Sequence, residues 1–237
     1  MSAIKSIMPN ITFGFTGKVL KSGYPFGLAL CIVCLYSIVG CSKGIPVEKP
    51  FIEKRWVCDK QADKAMKEHD YETAIVLHEK FLEKEPENGL ALYHLGYAYG
   101  QTGNHAKEAL YYEKAVEVGY GTDDIFFNLG MAYGELNRIK ESIRSFKKAL
   151  KINPHNADNH FGLAIAYQRS LSDKLAEEEF LEAVRINPVH VDSRLYLSML
   201  YVDMGELKKA GDQLRKILEI DPSNEGAREF LKKIEGE

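Results

Sequence analysis

One interval governs this chain, and it is 34 residues long. Take Asp123–Asn156, DDIFFNLGMAYGELNRIKESIRSFKKALKINPHN, as the reference window and step along the sequence in both directions. Gly130 becomes Gly96 behind it, and Ala164 and Ser198 ahead. Tyr133 becomes Tyr99, Tyr167 and Tyr201. Ala149 becomes Ala115 and Ala183, and Pro154 becomes Pro86, Pro188 and Pro222. A fixed period of this length marks stacked supersecondary units, each burying the apolar face that its neighbour cannot bury alone. Five windows follow without a gap: Arg55–Asn88, Gly89–Thr122, Asp123–Asn156, Ala157–His190 and Val191–Asn224. Residues 225–237 begin like a sixth and stop. There Lys232, Lys233, Glu235 and Glu237 suit the polar outer face of a capping helix.

Each window reads as two helices, A and B. Leu129, Gly130 and Tyr133 lie three to four residues apart and share one stripe of helix A. The small residue lets helix B approach, and the tyrosine fills the gap between units with its hydroxyl at the edge. Asn88, Thr122, Asn156 and Asn224 stand just before an A helix, where a side-chain oxygen caps free N–H groups. The prolines stop each B helix. The pattern L-G-x-x-Y, then a small residue, then Pro resembles the tetratricopeptide repeat family over about 170 of 237 residues. The resemblance implies an all-α fold, a right-handed superhelical solenoid of helix-turn-helix units. It also implies that the A helices line a concave groove that takes peptides or partner helices.

The windows are not equally regular. The first carries Cys58, Gln61, Ala62 and Ala65 where later ones have larger or apolar residues, as befits an end unit, and Cys58 is expected as a buried thiol. The second has Glu108 where the others have Ala74, Ser142, Ala176 and Ala210, and Tyr120 in place of the proline. The fourth lacks glycine in its inter-helix turn, Ser170-Leu171-Ser172-Asp173.

The N-terminus is a different object. Residues 24–40, YPFGLALCIVCLYSIVG, are apolar and uncharged and follow Lys18 and Lys21. The run is short of the about 20 residues that a span needs and suits a secretory leader. Ile38-Val39-Gly40-Cys41 resembles the lipobox of bacterial lipoproteins. That resemblance implies removal of residues 1–40 and acylation of Cys41; the competing reading is an uncleaved signal anchor. Met8 is an alternative start, and Cys31-x-x-Cys34 inside the apolar run reads as filler rather than a metal pair. Residues 41–54, with Pro46 and Pro50, form a lipidated tether. Ser42, where an Asp often retains such proteins at the inner membrane, favours an outer-membrane lipid anchor facing the periplasm.

Function is expected on the A helices. One step round from the packing stripe stand Tyr93, Tyr97, Phe127, Met131, Phe161, Ile165, Leu195 and Met199. They recur at 34 and form a ladder of large apolar side chains. Two readings stand: an apolar groove for an aromatic-anchored protein segment, or an inner wall closed on itself. The family's carboxylate clamp falls on Tyr93, Tyr97, Asn128, Met131, Asp158 and Gly162, of which only Asn128 fits, which argues against chaperone-tail binding. Asp124, Asp158 and Asp192 line one edge, either as complements to helix dipoles or as a surface for a basic ligand.

Catalysis finds no support. The seven histidines show no metal-ligand spacing, and there is no phosphate loop or nucleophile elbow. No cofactor, metal or small-molecule substrate is expected. A net charge of −3 with interleaved signs and no basic stripe does not suggest nucleic-acid binding, and none is expected. In the fourth window, Asp173-Lys174-Leu175-Ala176-Glu177-Glu178-Glu179-Phe180 resembles the PilW/PilF pilotins of type IV pilus biogenesis. That family implies outer-membrane lipoproteins that help secretin rings assemble. The expected role is therefore a membrane-anchored scaffold in bacterial envelope assembly. The alternative is an adaptor recruiting peptidoglycan hydrolases or proteases.

Overall fold

A computed structural model describes residues 56–236. The leader, Cys41 and the tether lie outside the described residues. Eleven helices and no strand occur among them. They pair as α1 (Lys60–Lys67) with α2 (Tyr71–Leu82), α3 (Gly89–Gln101) with α4 (His105–Glu117), and α5 (Asp123–Glu135) with α6 (Ile139–Ile152). Then come α7 (Ala157–Arg169) with α8 (Asp173–Ile186), α9 (Val191–Asp203) with α10 (Leu207–Ile220), and α11 (Glu225–Glu235). The architecture is an all-α repeat solenoid.

Local chemistry sets the ends. The side chains of Asn88, Thr122, Asn156 and Asn224 accept hydrogen bonds from backbone N–H groups in the first turns of α3, α5, α7 and α11. The fifth A helix is capped instead by His190, whose Nδ1 accepts from the Ser193 N–H at 3.0 Å. Each A helix of a pair ends in one turn type. The residue at its C-terminal bend has a positive φ: His69, Gly103, Asn137, Leu171 and Gly205. The next N–H then reaches back to a carbonyl five residues earlier, as from Asn104 to Tyr99 at 2.8 Å and from Ser172 to Tyr167 at 3.0 Å. The fourth unit thus keeps the glycine geometry without the glycine. Unit one departs differently. Asp59 caps α1, so Cys58 lies in the segment ahead of the helix rather than on it, though it is buried as expected.

The core is a column of B-helix rings seated on small A-helix residues. Tyr112, Phe146 and Phe180 are fully buried, each contributing about 1.5–3 kcal/mol by burial. A Cβ on Gly96 would stand 2.7 Å from the Tyr112 ring. A Cβ on Gly130 or Gly162 would stand 2.7 Å or 2.3 Å from that of Phe146. Phe146 therefore sits between two A helices, its own and the next. The A-helix tyrosines stitch units at the rim. Tyr99 donates to Glu79 at 2.5 Å, Tyr201 donates to Glu177 at 2.8 Å, and Tyr133 donates to Glu113. Cations cover the same rings, with Lys107 4.6 Å from the centroid of Tyr99 and Arg138 4.5 Å from that of Tyr133. Among the described residues no helix is long and apolar enough to cross a membrane.

Candidate protein-binding groove

Successive A helices approach one another, α3 with α5 and α5 with α7, which puts them on the inner side of the stack. The expected ladder lies along them and divides in two. Tyr93, Tyr97, Phe127, Asn128, Met131, Phe161 and Leu195 are half-buried, with part of each side chain open. Ile165 and Met199 are closed, at 8% and 2% exposure, and so leave the candidate surface. Both belong to the large core cluster of the later units, with Phe127, Met131, Phe161 and Leu195 packed against it. Residues 162–167 of α7 and 197–202 of α9 are buried on nearly all sides, so the stripe that faces outward in α5 is covered there.

The open part has a defined floor. Tyr93 packs 5.6 Å from Tyr112 and 5.4 Å from Tyr120 between ring centroids. Its hydroxyl accepts from Asn128 Nδ2 at 3.3 Å, joining two units across the groove. Tyr97 stands 6.1 Å from Tyr71, and its phenol is pushed up to about 12, first by burial and then by Tyr71. Both hydroxyls are neutral at physiological pH and can donate to a ligand. Phe127 meets Phe146 edge-on at 5.6 Å. Phe161 meets Tyr196 edge-on at 5.3 Å. The periodicity did not single out Tyr120 and Tyr196. Tyr120 is visible in the sequence as the one proline replacement, but only the fold brings it, on the turn Gly119-Tyr120-Gly121, against Tyr93 of α3.

One edge of this floor is acidic. Burial raises the Asp124 carboxyl above its usual range, and the neighbouring Asp123 and Asp158 raise it further. The carboxylates crowd one another across the α5–α7 boundary. Asp158 has a partner, since His190 Nε2 donates to its Oδ1 at 2.9 Å while Nδ1 caps α9. Asp192 is exposed, and Asp124 is partly covered at its carboxyl while the residue as a whole stays open to solvent. His160 is engaged at both nitrogens, by Glu179 at 2.7 Å and by the Pro154 carbonyl at 3.1 Å. Gly162, a clamp position that reads as a departure in sequence, is the seat of Phe146.

An aromatic floor on the A helices of a 34-residue helical array has relatives. The tetratricopeptide repeat profile matches residues 60–122, 124–156 and 192–224, together more than half of the chain. The chain belongs to the tetratricopeptide repeat family. Among solved structures, MamA superposes with a TM-score of 0.66 at 21% identity, over 72% of this chain and 99% of that one. YrrB, described as a TPR protein with an unusual peptide-binding site, gives 0.62 at 22% identity, over 70% and 86%. PilF of Pseudomonas aeruginosa gives 0.64 at 18% identity, over 75% and 82%. At these identities the likeness is one of fold. No curated protein matches the sequence. A tetratricopeptide array of this kind is a scaffold for protein–protein interaction.

Proposed function

We propose that this tetratricopeptide protein is a lipid-anchored scaffold of the bacterial envelope that receives an extended or helical protein segment in the groove along α3, α5 and α7. The observation that carries the reading is the half-open aromatic floor of Tyr93, Tyr97, Phe127 and Phe161 beside the crowded carboxylates of Asp124 and Asp158. Such a surface favours a ligand with an apolar or aromatic anchor flanked by basic residues. Anchoring through an acylated Cys41 would place the array at the outer membrane facing the periplasm. A pilotin-like part in secretin or type IV pilus assembly agrees with the fold shared with PilF and with the Asp173–Phe180 segment. Recruitment of a peptidoglycan hydrolase or protease is the competing role.

The test pairs Phe127→Asp with Phe161→Asp, and adds Asp124→Lys as a variant at an exposed position. Loss of partner capture in both, with an unchanged melting temperature, supports the groove. A large fall in melting temperature for the Phe pair, with capture unaffected by Asp124→Lys, sinks it. The partner recovered with the lipidated protein separates the roles, a secretin for the first and a hydrolase or protease for the second. The mass of the mature N-terminus decides the anchor: an intact Met1 or Met8 start overturns it.

A further inference from the structure

At steps of 34 from position 78 stand Tyr112, Phe146, Phe180 and Leu214, the buried knobs of the array. In the first unit this seat holds His78, at 0% exposure. Neither of its ring nitrogens has a hydrogen-bond partner among the described residues. Packing alone does not account for an imidazole here, because a buried polar group without a partner is destabilising and the array elsewhere uses a ring or Leu. Its surroundings carry ligand chemistry. His94 of α3 lies 5.2 Å away between ring centroids. Cys58, buried and without a disulfide, completes a group whose donor atoms all lie within 4.8 Å of one another. Asp63 of α1 brings its Oδ1 to 3.1 Å from His94 Nδ1, a contact without the alignment of a hydrogen bond.

We propose that Cys58, His78 and His94 bind one divalent transition-metal ion of the zinc class, with the Asp63 carboxylate beside it. Two imidazoles and a thiolate are the donors that borderline-soft ions such as zinc and cobalt select over magnesium or calcium. Donors around a tetrahedral zinc lie about 3.5 Å apart, so binding draws this group in by roughly an ångström. The charges balance. The Cys58 thiol gives its proton to solvent as the sulfur–metal bond forms, and both imidazoles donate as neutral rings. Thiolate and the Asp63 carboxylate then offset the dication. Because sulfur binds as thiolate, metal binding is coupled to release of that proton.

The site would fasten the first unit, whose buried cluster is small, to the second. It joins the segment ahead of α1 to α2 and α3. The packing there rests on Ala65, Ala74 and Ala98, with Met66, Tyr71 and Ile75 against them. A surface depression of about 540 Å³, lined by Trp56, Cys58, Phe81 and Glu85, adjoins the cluster on the Cys58 side. This site adjoins the groove floor, with His94 5.9 Å from Tyr93 between ring centroids, but none of its donors belongs to that floor.

The test uses the full chain with Cys31, Cys34 and Cys41 replaced by serine, so that Cys58 is its sole thiol. Cobalt(II) is titrated first, and zinc(II) then displaces it. The expected result is saturation at one equivalent, a sulfur-to-cobalt charge-transfer band, release of one proton, and a change in emission of Trp56, the chain's sole tryptophan. Adding Cys58→Ser should abolish the charge-transfer band. His78→Phe, which installs the ring the other units carry, should keep the fold and weaken binding by more than about 10-fold. No saturable equivalent, or binding by both variants as tight as the parent's, overturns the site and leaves only adventitious surface histidines.

Discussion

Leu171 offers a test of the turn that closes each A helix. Its φ is 58°, in the left-handed region, while its side chain is 86% exposed. The equivalent bends at Gly103 and Gly205 use glycine, which adopts this region without penalty. A residue with a Cβ is disfavoured there by about 1–2 kcal/mol. Replacing Leu171 with glycine removes that strain and, because the side chain is in solvent, forfeits almost no burial. Against this stands the extra freedom of glycine in the unfolded chain, about 0.4–1 kcal/mol. The net is a stabilisation of about 0.5–1 kcal/mol. For an array of this size that is a rise of about 1–4 °C in melting temperature. Calorimetry on Leu171→Gly and Leu171→Ala separates the causes. Alanine keeps the Cβ and should leave the transition within about 1 °C. If alanine stabilises as much as glycine, the effect comes from losing an exposed apolar side chain and the backbone argument fails. If glycine lowers the transition, the Leu171 side chain packs on something and the exposure reasoning fails.

Phe146→Ala should be among the most damaging single changes, costing about 3–5 kcal/mol in denaturant unfolding, because the ring fills the space between Gly130 and Gly162. A loss under about 1 kcal/mol would mean that α5 and α7 close over the gap. Glu108 gives a pH signature. Burial pushes its carboxyl up to about 7, opposed by His105 and aided by Glu135. A folded pKa above the unfolded one means that its contribution is fully present below about pH 4.5 and lost as pH rises through 7. Stability relative to Glu108→Gln should therefore fall by roughly 1–3 kcal/mol across that window, read from paired melting curves. Parallel curves would show that Glu108 stays solvated. The groove variants at Phe127, Phe161 and Asp124 and the cobalt titration of Cys58 complete the set.

The sequence by itself determined everything that repeats within one unit. The interval of 34 located the helix pairs, the caps at Asn88, Thr122, Asn156 and Asn224, and the rim tyrosines. These are contacts between residues a few positions apart, or one unit apart, so periodicity reports them. Only the tertiary structure decided which ladder residues stay open. Phe127 and Met199 occupy the same face in sequence, yet Met199 is closed inside the core cluster that the later units build, whereas Phe127 only packs against it. Only stacking revealed that Gly162 belongs to Phe146, a ring on the helix before it. The same holds for Cys58, His78 and His94. They come from a segment and two helices, and no ligand spacing joins them in the chain. The interval did carry one trace of them: applied to Tyr112, Phe146 and Phe180, it lands on a histidine. A period shows that a position is a core seat. Which donors meet a residue in that seat depends on how the units pack, and no single unit contains that information.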